Sequence, residues 1–165
     1  MDVMAKQYDW IKVTRQSLFR YCETLTLEDY LKEHEGFGGW SIRYLHVHVA
    51  NCYEGWLRSE GLNEEPQFVA PDSVSQVQEM RTVFDRVDGL VEQFLRRYEG
   101  KWDTILPRKI EENDEVEELT PLWLLTHTMT HEFHHKGQIV SMSRQMGYVP
   151  EDTDLISPLD VKKFL

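Results

Sequence analysis

The feature that most constrains this chain is the stretch from Thr120 to Gly147. Thr120 offers a capping hydroxyl, and Pro121 follows at the position where a missing N–H costs nothing. No further proline or turn cluster interrupts the run before Met146, where Gly147 and then Pro150 end it. A helix of this length must bury one face against other long elements, and three more segments carry the matching pattern. Residues 4–24 place Tyr8, Ile11, Leu18 and Tyr21/Cys22 near helical spacing. Residues 41–60 place Ile42, Leu45, Val49, Cys52 and Trp56 on one stripe, predicting a core-facing helix. Ser73 with Gln76 reads as a capping box for a third long helix carrying Val83, Val87, Leu90, Val91 and Phe94/Leu95.

Shorter pieces complete the reading. Thr26 with Asp29 caps a helical turn over 26–32, and Gly36, Gly38 and Gly39 then break the chain. Pro66 and Pro71 mark the loop before the third long helix. The periodicity fails over 100–119, where Trp102 to Ile105 and Lys109-Ile110 suggest a small hairpin or an irregular crossover. The aliphatic tail 160–165 reads as a short docked helix. The expected fold is all-α, a four-helix bundle with a long crossover between its third and fourth helices, forming a single domain over 1–165.

With 165 residues and 41% hydrophobic content, the chain suits one core rather than two. Its 29 acidic residues against 18 basic give a formal charge of −11, and no run of five Lys/Arg offsets it. Such a field repels polyanions, which argues against nucleic acid and acidic membrane surfaces as partners. No window approaches the ~18 apolar residues of a membrane span. The opening MDVMAKQYDW lacks the basic and apolar regions of an export signal, so a cytoplasmic location is expected, with Cys22 and Cys52 as reduced thiols.

Of seven histidines, six fall in two clusters: His46 and His48 on the second helix, and His127, His131, His134 and His135 on the fourth. Imidazoles at i and i+4 lie about 40° apart around a helix, so their nitrogens can converge on one ion. The fourth helix offers the pairs 127/131, 131/134 and 131/135, and all contain His131. His127 and His135 stand two turns apart, about 12 Å of rise, too far to share an ion readily. A lone histidine is usually a surface or core residue, but four within nine positions point to a divalent metal. A helical pair needs a third ligand from the second helix. His46 and His48 point about 200° apart, so at most one serves, and both flank the apolar stripe. Periodicity does not choose between them.

His131-Glu132-Phe133-His134-His135 also fits H-E-x-x-H, the zincin helix, in which Glu132 would be the general base. That reading lacks its downstream ligand. No histidine follows His135, Ser141 stands where a metzincin has its third, and Glu151 is the sole glutamate left.

The run His127-x-x-x-His131-x-x-His134-His135-Lys136-Gly137-Gln138-Ile139, followed by Arg144-Gln145-Met146-Gly147, Pro150 and Asp154-Leu155, resembles the fourth helix and tail of the DinB/YfiT-like family. His48 with Trp56 eight residues on is similar to that family's second helix. Lys136 replaces the family's commoner Arg. The resemblance implies His48, His131 and His135 as a metal triad with open positions, Gln138 near it, and a close helix approach or dimer contact at Gly137. It implies a divalent ion, with Zn or Ni ahead of Fe or Mn, and a C2 homodimer. The implied activity is metal-dependent transfer of a low-molecular-weight thiol (bacillithiol, mycothiol or glutathione type) to an electrophile. A metal-dependent hydrolase and a non-catalytic metal-binding stress-response protein are the alternatives.

Overall fold

The computed structural model describes residues 2–109, 115–150, 153–155 and 157. Four long helices carry the fold: α1 (Val3–Cys22), α3 (Ile42–Tyr53), α4 (Val77–Tyr98) and α5 (Pro121–Gln145), with a short α2 (Leu27–Leu31) after the first. α3 runs on into a π-helical segment, Glu54–Gly61. β1 (Leu106–Lys109) and β2 (Val116–Leu119) pair antiparallel, with Leu106 opposite Leu119 and Lys109 opposite Val116. The crossover therefore contains a β-ladder, as the hairpin reading expected; Ile110 lies outside the described residues, as do Glu151 and the tail 160–165.

Contacts run α1 to α4, α4 to α3, α3 to α5 and α5 to α1, a closed ring of four, as the four-helix reading requires. α1 and α3 face each other across the ring, as do α4 and α5, so 23–41 and 99–120 each connect diagonal partners. That is the physical reason those connections are long. No helix among the described residues is long and apolar enough to cross a membrane.

Local chemistry sets the helix ends. The Asp2 side chain accepts from Met4 N–H, Thr26 from Asp29 N–H, Ser41 from Tyr44 N–H, and Thr120 from Trp123 N–H. Gly147 adopts φ 92° immediately beyond α5, the left-handed conformation that glycine accepts without a Cβ penalty. The expected Ser73/Gln76 box is not formed. Ser73 ends a single 3-10 turn, its hydroxyl donating to Ala70 O, and α4 starts only at Val77. Pro71 explains the delay, since it fixes that turn first. Glu79 then accepts from Ser75 N–H at 2.5 Å.

The apolar stripe of the second long helix also drifts. Ile42, Leu45 and Val49 are buried as expected, but Ala50, Tyr53 and Leu57 continue the core, while Cys52 and Trp56 are only half-buried. Cys52 and Trp56 look instead towards α5. Beyond them, Gly61 packs so closely on Phe94 that a Cβ there would collide with the ring.

One polar cluster ties all four long helices together. Arg15, 2% exposed, donates through Nε to Glu132 Oε1 at 2.7 Å and through Nη2 to Oε2 at 3.0 Å. Its Nη1 reaches Asp88 Oδ1 at 2.6 Å, and Tyr53 donates to Glu132 Oε2 at 2.7 Å. Tyr8 donates to Asp88 Oδ1 at 2.6 Å. A buried guanidinium is tolerable only with such partners.

Candidate metal centre

Two rows of side chains face each other across the α3–α5 contact. His48 and Cys52 on α3 and Trp56 on the π-helical segment that continues it recur every four residues, as do His127, His131 and His135 on α5. Such spacing keeps each row on one helix face.

His48, His131 and His135 each offer a ligand nitrogen, and these atoms all lie within 4.8 Å of one another. His48 Nε2 stands 3.1 Å from His131 Nε2. Two nitrogens bound to one ion at ~2.0–2.1 Å with a near-tetrahedral angle stand about 3.3 Å apart, so this separation fits a shared ion. The His135 ring lies with its centroid 4.4 Å from that of His131 and 4.7 Å from that of His48.

The hydrogen bonding of His135 fits the same role. Its Nδ1 lies 2.6 Å from Gln138 Oε1. An amide oxygen only accepts, so Nδ1 carries the proton and Nε2 presents its lone pair. That Nε2 is buried and has no hydrogen-bond partner among the described residues. A buried acceptor without a partner is costly, and a metal ion would satisfy it.

The electrostatics keep the imidazoles neutral. Burial, reinforced by the neighbouring His135, His48, His127 and His134, pushes His131 down to about 4. Burial likewise pushes His135 down to about 4, against the upward pull of Gln138, and lowers His48. At neutral pH all three present lone pairs rather than protons, the form a metal requires.

The other histidines fall elsewhere. His46 is 3% exposed and lies edge-on to Phe19, with Nδ1 at 3.2 Å from Tyr30 Oη. It is a core residue on the far side of α3 from His48, and of the two only His48 belongs to a histidine group with converging nitrogens. His134 is exposed. His127 stacks on Trp123 (centroids 4.9 Å) and joins a second group, Cys52–His127–His131, whose ligand atoms also lie within 4.8 Å of one another. Burial, with the Glu132 charge behind it, raises the Cys52 thiol to about 12.

Glu132 does not face the histidines' meeting point. Both its oxygens are engaged by Arg15 and Tyr53 in the core, so the zincin reading loses its base as well as its third ligand. Gly137 is exposed, and a Cβ built there would meet nothing within 4 Å. The expected close helix approach is therefore absent among the described residues.

Aromatic walls border the site on both sides. Trp40 packs against His48 (5.6 Å) and His135 (6.1 Å), and Tyr44 stacks on His48 (6.2 Å). At the other end Trp56 meets His127 edge-on at 4.9 Å and Trp123 at 5.4 Å. Sequence reasoning missed Trp40, which comes from the Gly-rich break with no periodic signal. It also placed Cys52 in the core stripe, although its position four residues after His48 was the available signal.

The model of the family described as DinB family matches residues 1–162. The chain is 26% identical over 161 residues to Protein DinB of Bacillus subtilis (strain 168), covering 93% of this chain and 91% of that protein.

Proposed function

Because the chain belongs to the DinB family, we propose that it is a divalent-metal-dependent enzyme transferring a low-molecular-weight thiol to an electrophile, with His48, His131 and His135 as metal ligands. The observation that carries this reading is the convergence of three neutral imidazoles from two helices, one with a buried Nε2 that has no partner among the described residues, which also add no carboxylate to the set. Three protein ligands leave coordination positions free, the arrangement of catalytic rather than structural sites.

An ion held there supplies a Lewis acid that draws the pKa of an approaching thiol towards neutrality. The chain's own residues do the rest. Gln138 fixes the His135 tautomer, and burial keeps all three rings unprotonated. Trp40 and Tyr44 on one side and Trp56 and Trp123 on the other offer apolar faces to an electrophile and limit water. As the new sulfur–carbon bond forms, the leaving group departs with its electron pair and the thiol proton passes to solvent. No side-chain base is required, which matches the engagement of Glu132 in the core. The functional unit is taken to be a cytoplasmic C2 homodimer of single-domain chains. Zn or Ni suits the all-nitrogen set first, with Fe or Mn behind.

The test is turnover by metal-loaded protein with bacillithiol, mycothiol and glutathione against a chromogenic aryl halide. Adduct formation that disappears in His131→Ala, with the helical circular dichroism retained, supports transfer. Absence of turnover with all three thiols and several electrophile types refutes transfer and leaves a metal-binding protein.

A further inference from the structure

The second donor group on this face is chemically unlike the first. Cys52, His127 and His131 bring one sulfur and two imidazole nitrogens within 4.8 Å of one another, and none of the three is fully buried. Thiolate sulfur selects thiophilic ions, whereas an all-imidazole set suits borderline ones. His131 belongs to both groups. His127 is held in place for this role by Trp123, stacked on it at 4.9 Å and 11° between planes, and by Trp56 edge-on at 4.9 Å.

Cys52 also has its own approach from solvent. A cavity of about 320 Å³ reaches it between Asn51, Gly55, Trp56, Phe68 and Arg108, on the side of α3 that carries the 66–68 loop. His48 and His135 do not line that cavity. Cys52 is therefore open to a cavity that neither His48 nor His135 lines, while His131 is common to both donor groups.

We propose that Cys52, His127 and His131 form a second, softer metal position that takes a thiophilic d10 cation such as Cd²⁺ and excludes the ion of the three-histidine centre, because both positions need His131. On binding, the sulfur–metal bond forms as the Cys52 proton leaves to solvent. Capture of a soft ion thus empties the three-histidine centre.

The test adds Cd²⁺ alone to untagged, chelator-treated protein and follows the thiolate-to-cadmium charge-transfer absorption in the ultraviolet. The absorption rises to one equivalent per chain, vanishes in Cys52→Ser, and persists in His48→Ala and in His135→Ala, which keep the second group intact. In zinc-loaded protein, one equivalent of Cd²⁺ releases one Zn²⁺ to a chromogenic chelator, and Cys52→Ser lowers the Cd²⁺-over-Zn²⁺ preference at least tenfold. Absence of the band in the wild-type chain, or its survival in Cys52→Ser, overturns the site. Loss of the band in both His48→Ala and His135→Ala, or cadmium and zinc bound together on one chain, overturns the exclusion through His131. Zinc binding that depends on His48 and His135 while cadmium gives no thiolate band would sink this proposal alone and leave the three-histidine reading standing.

Discussion

Replacing Glu132 by Gln separates a structural carboxylate from a catalytic one. In the fold the Glu132 side chain is 9% exposed and accepts three hydrogen bonds: two from the Arg15 guanidinium, at 2.7 and 3.0 Å, and one from Tyr53 at 2.7 Å. The amide oxygen of Gln can keep only part of that set, and its NH2 would point at a donor. The negative charge opposite Arg15 is also lost. Removing one partner of a buried ion pair costs about 3–5 kcal/mol. Asp88 Oδ1, 2.6 Å from Arg15 Nη1, still compensates part of the charge, which places the expected loss near the lower end, about 3 kcal/mol. For a chain of this length each kcal/mol moves Tm by roughly 2–4 °C, so Tm should fall by roughly 6–12 °C. The assay is urea and thermal unfolding of Glu132→Gln beside metal analysis of the same preparation. Below its own Tm the variant should hold as much metal as the wild-type chain. Unchanged stability combined with a large loss of activity at full metal occupancy would refute the reasoning and return Glu132 to the role of general base.

Two further outcomes follow from the same geometry. Gln138→Leu should weaken zinc binding about 10–100-fold in competition with a chromogenic chelator, because His135 loses the acceptor that fixes its tautomer, whereas Gln138→Glu keeps an acceptor and should restore most of it. Burial holds His46 at about 3 against an ordinary 6.5, so the unfolded chain binds more protons between those values; the stability is complete above about pH 6.5 and drains away as pH falls towards 3. The urea midpoint of the chelator-treated protein should therefore fall from pH 7 to pH 4.5, and His46→Phe should make that fall shallower, with the remainder due to the other buried histidines.

The long helices were legible because their evidence is local. Thr120-Pro121 and Gly147 bound α5 by backbone chemistry alone, and the 3–4 spacing of Ile42, Leu45 and Val49 survives in the core. The Ser73/Gln76 box failed because Pro71 claims Ser73 for a 3-10 turn, and α4 starts only at Val77. The drift of Cys52 and Trp56 towards α5 follows from a 3–4 spacing that slips around a 3.6-residue helix over about four turns and from the passage into a π segment at Glu54. Periodicity could not separate His46 from His48, since both flank the stripe; the resemblance to the family favoured His48, and the depth of His46 against Phe19 and Tyr30 gives the physical reason. The engagement of Glu132 by Arg15 spans 117 positions of sequence, and no local pattern announces it.

Elemental analysis of untagged protein tests most directly whether His48, His131 and His135 hold one ion. Wild-type chain and His46→Phe should each carry about one equivalent of a divalent transition metal, while His48→Ala, His131→Ala and His135→Ala should each lose most of it with their helical content intact. A wild-type chain that stays metal-free after incubation with Zn²⁺ and Ni²⁺, or a His131→Ala chain that still holds a full equivalent, would contradict it.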